Sequence, residues 1–152
     1  MTKPSSCETV ATALERDLDL TIQKWTERVD KTPELTRIKL SREERMGHLP
    51  RLLKDIVARL RTAKNVEPPN STAARDHGKI RFKQKYTVAM LIEDSRLLQV
   101  SIFETLHRNQ DSLDSQIVLL DVMTIADECD SQLGNTIDTF MEEETEALRS
   151  AA

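Results

Sequence analysis

Apolar positions Val10, Leu14, Leu18, Ile22, Trp25 and Val29 recur at steps of three and four, the spacing of one stripe on an α-helix. Ser5 and Glu8 stand at capping-box spacing before it, and Pro33 closes it, because proline disfavours helical geometry in the preceding residue. Ser41-Arg42-Glu43-Glu44 repeats the capping-box pattern and predicts a short helix, after which Gly47-His48-Leu49-Pro50 bends the chain. Leu49, Leu52, Leu53, Ile56, Val57 and Leu60 then form one apolar face. Asn65–Ser71, with its adjacent prolines, reads as a loop.

A long helical stretch is predicted from Ser71 to about Asn109, broken near Tyr86-Thr87, with Thr87 as the cap of the second half. The first half is polar and basic; Ile80 and Phe82 are its only large apolar residues. The second half carries apolar residues on more than one face, as a central helix of a bundle does. Asp111 or Ser112 is the expected cap of a final helix. Its inward side reads as Leu113, Ile117, Leu120, Ile125, Cys129, Leu133, Ile137, Phe140 and Met141. A helix from Ser112 to Leu148 would be roughly 55 Å long at about 1.5 Å per residue. That outlasts a domain of this size, so residues 142–152 are expected to project as an acidic end or linker from a helical domain spanning 1–141. The expected architecture is an all-α bundle of five to six helices with a long C-terminal helix.

Composition narrows the function. Three glycines and 3% aromatics in 152 residues argue against a β-sandwich or barrel. No apolar run is long enough to cross a membrane, and no charged-then-apolar leader opens the chain, so a cytoplasmic protein is expected. Cys7 and Cys129 lie far apart, without metal-ligand or redox-motif spacing. The net charge of −4 conceals an asymmetry: Leu35–Lys85 holds 14 basic and 5 acidic residues, whereas Asp111–Ala152 holds 11 acidic and one basic. Such asymmetry marks a nucleic-acid or membrane surface, or two complementary faces of an assembly, and the acidic last quarter makes DNA the weaker choice.

Between the halves of the long stretch stands a motif: His77-Gly78-x-x-Arg81, then Gln84 and Tyr86, then Leu91-Ile92-Glu93-Asp94-x-Arg96-Leu97-Leu98. It resembles the signature of the RsbRD N-terminal domain family, whose members include stressosome co-antagonist proteins and input regions of bacterial sensor histidine kinases. The resemblance implies a globin-like helical signalling domain without haem, dimeric and not itself catalytic. A kinase or an anti-anti-sigma-like module would follow it, in stress-response or two-component signalling. Family members often carry glycine just before the aromatic matching Tyr86; this chain has Lys85, which does not ask for a sharp bend.

His77 and Arg81 share one helix face, and Glu93 and Arg96 share the next. With Tyr86 they are the candidate signalling cluster, read either as a ligand or relay site or as an interhelix salt bridge that fixes packing. Arg81 and Glu93 would stand about 18 Å apart on a straight helix. They can meet only across a bend or between protomers. The alternative function is histidine phosphotransfer through His77, although the usual lysine and glycine three and four residues later are missing. His48, His77 and His107 show no ligand spacing, so no metal or haem is expected. The run Arg75, Lys79, Arg81, Lys83 and Lys85 lacks the aromatic interleaving of a nucleic-acid surface; it is better matched to the acidic final helix, in the same chain or a partner. No nucleophile–base arrangement points to an enzyme.

Overall fold

The computed structural model describes residues 7–62 and 71–152. These form α1 (Val10–Arg16), α2 (Leu18–Asp30), α3 (Pro33–Thr36), α4 (Arg42–Met46), α5 (Leu49–Leu60), α6 (Thr72–Lys83), α7 (Val88–Arg108) and α8 (Val118–Ala151). The fold is all-α. Six of these helices run to seven residues or more; α3 and α4 are single turns. Ser5 and residues 65–70 of the expected loop lie outside the described residues.

Local signals account for most helix starts. The Ser41–Glu44 capping box is complete, with Glu44 N–H donating to Ser41 Oγ at 3.1 Å and Ser41 N–H to Glu44 Oε1 at 3.0 Å. Thr87 Oγ1 accepts from Met90 N–H at 3.2 Å, the cap expected there, and Ser71, where the stretch was expected to begin, caps α6 by accepting from Ala74 N–H at 3.0 Å. Pro33 opens α3 rather than closing α2, which already ends at Asp30.

Tertiary contacts override the sequence pattern in two places. The single stripe from Val10 to Val29 is broken at Asp17, where neither proline nor glycine interrupts. The Asp17 carboxylate instead accepts from Asn109 Nδ2 at 2.9 Å, tying the break to the end of α7. The last helix starts at Val118, later than either expected cap. Glu8 N–H donates to the Ser112 carbonyl at 2.7 Å, and Leu113 is extended, so this backbone pairs with the N-terminal segment instead of continuing as helix.

The core gathers α1, α2, α5 and α7 around Trp25, Leu14, Leu53, Ile56, Leu91 and Ile102, all fully buried. Trp25 Nε1–H donates to the Asp94 carbonyl at 3.2 Å and so joins α2 to α7. Cys129 is buried as well, and burial pushes its thiol up to about 12.

The basic helix α6 lies along α8 and buries the small or polar residues Ala73, Ala74, His77, Gly78 and Arg81. A Cβ at Gly78 would stand 2.4 Å from the Thr136 carbonyl oxygen, so only glycine permits this close backbone approach. Thr136 Oγ1 donates to the Ala74 carbonyl at 3.1 Å, and the Phe82 and Phe140 rings meet edge to face at 5.5 Å. The two helices therefore run in the same sense. The buried side of α8 is more polar than apolar: Asp121, Glu128, Gln132, Thr136 and Thr139 join Ile125, Cys129 and Phe140. Ile117, Leu120 and Met141, expected inside, are exposed, because the hydrogen-bonding residues turn that face inward instead. Gln132 Nε2 donates to the Leu52 carbonyl at 3.0 Å, and Glu128 pairs with Arg59 at 3.0 Å.

Candidate functional site

Arg81 is the hub of a polar cluster inside the bundle. It sits in the last turn of α6 with 0% exposure, and each face of its guanidinium has a partner. Nε donates to Asp94 Oδ2 at 3.2 Å, and Nη1 to Gln84 Oε1 at 2.7 Å. Nη2 donates to the Arg45 carbonyl at the end of α4, where helix geometry leaves carbonyls unpaired. The Tyr86 ring lies 4.4 Å from the guanidinium carbon, within reach of a cation–π contact. Arg45 continues the network, donating from its own buried guanidinium to the Leu35 and Ile38 carbonyls at 3.0 and 2.7 Å.

His77 lies one turn before Arg81 on the same face, and its Nε2 is 3.2 Å from Asp94 Oδ2. His77 is 5% exposed and Asp94 4%. One carboxylate oxygen thus serves both side chains of the α6 face, His77 and Arg81. Burial alone would raise the Asp94 carboxyl, but the Arg81 charge and the His77 hydrogen bond outweigh it and hold the group below the ordinary carboxylate range. Burial pushes His77 down; the Asp94 hydrogen bond opposes this and the Arg81 charge adds to it. Burial also raises the Tyr86 phenol. With His77 neutral, its Nε2–H is donated to the carboxylate and Nδ1 is a bare acceptor without a partner. That nitrogen lies against Gly47, where an added Cβ would stand 3.3 Å away.

The corner between α6 and α7 makes this meeting possible. Tyr86 N–H donates to the Arg81 carbonyl at 3.1 Å and Lys85 N–H to the Phe82 carbonyl at 3.0 Å, the two bonds of a Schellman motif. Lys85 has φ 69°, the only positive φ among the described non-glycine residues. The chain bends sharply despite lacking glycine there, and the expected effect of Lys85 is corrected accordingly. The conformation is the one that glycine favours; here lysine carries it.

Of the five candidate residues, the structure brings His77, Arg81 and Tyr86 together. Glu93 and Arg96 face elsewhere: Arg96 donates to Glu93 at 2.6 and 3.0 Å on the surface of α7. The carboxylate that crosses the bend belongs to Asp94, the neighbour of Glu93, which sequence reasoning did not single out. Gln84 and the α4 carbonyls were missed as well. The Arg-x-x-Gln spacing is visible in sequence; main-chain acceptors of α4 are not.

The phosphotransfer alternative meets an obstacle here. Nε2 is engaged by Asp94 and Nδ1 is buried against Gly47, so neither ring nitrogen is open to a phosphoryl donor. Among the described residues no three His, Cys, Asp or Glu side chains converge as metal ligands, and no helix is long and apolar enough to cross a membrane. Arg75, Lys79, Lys83 and Lys85 are exposed, and among the described residues no ion pair joins them to the acids at the end of α8. The salt bridges of α8 run instead from Arg59 to Asp127 and Glu128.

The described residues thus form a helical bundle with a sealed polar cluster and a last helix that extends beyond its buried face. The RsbT co-antagonist protein rsbRD N-terminal domain family matches residues 19–152, nearly the whole chain, and the chain belongs to that family. Its members supply stressosome-type signalling input domains. No curated protein and no solved structure matches the chain.

Proposed function

We propose that this protein is a non-enzymatic cytoplasmic input module that forms a homodimer. It would relay a packing change through α8 to a downstream kinase or anti-anti-sigma-like module, with residues 142–152 as the connecting segment. One observation carries the reading: the N-terminal part of α8 leaves large apolar side chains uncovered. Leu119 is 69% exposed and Met123 61%, one turn apart, with Leu120 and Ile117 beside them. A groove of about 510 Å³ between the end of α7 and the start of α8 adjoins them, lined by Phe103, Leu106, Val118 and Val122 among others. Contiguous apolar surface of this kind marks interaction sites. The exposed Arg75, Lys79 and Lys83 of α6, with Lys85 just after it, and the exposed Glu142, Glu144 and Glu146 of α8 are complementary charges available to a second copy.

Light scattering on the purified chain tests this. A dimer is expected, and Leu119→Glu with Met123→Glu should yield a monomer of unchanged helicity. A monomeric wild type at micromolar concentration would overturn the reading.

A further inference from the structure

A cavity of about 30 Å³ lies where α5, α6, α7 and α8 meet, half of its lining leucine and the other half His77, Asp94, Ser95, Gln132 and Thr136. The Gln132 amide already donates to the Leu52 carbonyl and to Glu128, and His77 Nε2 is engaged with Asp94 Oδ2, so neither has a donor to spare. Asp94 is buried and its Oδ2 is taken by His77 and Arg81, yet its Oδ1 has no hydrogen-bond partner. A buried carboxylate oxygen left unpaired forfeits its hydration without compensation, so native structures fill such positions. Thr136 Oγ1 spends its proton on the Ala74 carbonyl and keeps only lone pairs to offer. The Ser95 hydroxyl makes no hydrogen bond among the described residues.

We propose that this cavity is a binding site for a neutral molecule of one or two non-hydrogen atoms with two O–H or N–H donors, which bridges Asp94 Oδ1 on α7 to Thr136 Oγ1 on α8. Size sets the upper limit, since a buried water needs roughly 10–15 Å³ by the same measure. Two acceptors in one small space demand a double donor, and Ser95 can donate in return. Neutrality follows from the charges present: Arg81 already balances Asp94, so a bound cation leaves net charge buried and an anion faces the carboxylate. Water fits this chemistry, and so does a small solute such as hydroxylamine. The occupant ties the corner of α6 and α7 to α8. The site does not depend on dimerisation, and a monomeric protein would leave it standing.

A crystal structure of the full chain, at a resolution that shows ordered water, is expected to carry density within hydrogen-bond distance of Asp94 Oδ1 and Thr136 Oγ1. An empty cavity overturns the proposal. Thr136→Val should lose the density and Thr136→Ser retain it; density kept in the valine variant overturns the bridge. Soaking with hydroxylamine separates the sources. Two-atom density assigns an exchangeable solute site, whereas an unchanged single peak assigns water, and both uphold the double-donor chemistry. Since Thr136→Val also breaks the bond to Ala74, wild-type protein supplies a second readout. Magnetisation transfer from a long-lived water to the Asp94 amide is expected, and no transfer, with no solute bound, sinks the idea without any variant.

Discussion

Gly78 on α6 faces the main-chain oxygen of Thr136 on α8 so closely that a methyl group at position 78 would stand 2.4 Å from it. Helix propensity and packing therefore pull in opposite directions. Gly→Ala in a helix interior gains about 1 kcal/mol, but overpacking against rigid backbone costs about 1–3 kcal/mol. Packing wins, because a carbonyl oxygen has no rotamer into which to retreat. Gly78→Ala is expected to lower the urea midpoint, while Gly134→Ala, where a Cβ meets nothing within 4 Å, should raise it.

Lys85 predicts the opposite sign. A side chain at φ 69° pays a conformational cost that glycine does not. Lys85→Gly should stabilise the fold by about 0.5–1 kcal/mol, seen as a higher thermal midpoint. A lower midpoint would mean that the lysine side chain contributes more than its backbone costs.

Removing one partner of the buried pair exposes the other. Arg81→Met leaves Asp94 charged and buried beside His77, and such a break costs about 3–5 kcal/mol. Asp94→Asn in the same chain should recover part of that loss. The recovery in denaturant unfolding measures the coupling between the two residues. Additive losses would show that they do not act as a pair.

Acid should weaken the protein in two steps. The folded pKa of His77 is depressed, so its contribution is present above the unfolded value of about 6.5 and is lost as pH falls below it. Asp94 is also depressed, and its contribution disappears further down, below the ordinary carboxylate range. His77→Gln is expected to flatten stability between pH 7.5 and about 5.5, where one group contributes at most about 1.4 kcal/mol per pH unit. His48, depressed by partial burial, acts in the same direction, so a His48→Gln control separates the two. An unchanged slope in His77→Gln would refute the assignment.

Legibility from sequence followed the range of the interactions. Caps at Ser41 and Thr87, the start of a helix at Ser71 and the face of α5 depend on residues within a turn or two, and the structure repeats them. The break at Asp17 and the late start of α8 depend on Asn109 and Glu8, about ninety or more residues away in the chain, and local patterns hold no trace of them. The inward face of α8 was misread because threonine, glutamine and glutamate fill positions that an apolar count leaves out. Glu93 and Asp94 differ by about 100° around the helix. Which of them meets Arg81 is decided by the corner at Lys85, a residue type that disguises the turn.

Phe140 is the last buried residue of α8, and from Met141 to Ala151 the helix continues without a buried side chain. Those eleven residues span about 16 Å. On the relay proposed above, the close crossing of Gly78 and Thr136 would serve as the pivot, with about 22 Å of helix from Thr136 to Ala151 beyond it. A tilt of about 10° there would carry the tip through roughly 4 Å, more than the helix shifts of about 1–2 Å that switch subunit interfaces. Under that proposal, adjustments too small to disturb the core would become displacements that a neighbouring molecule can feel.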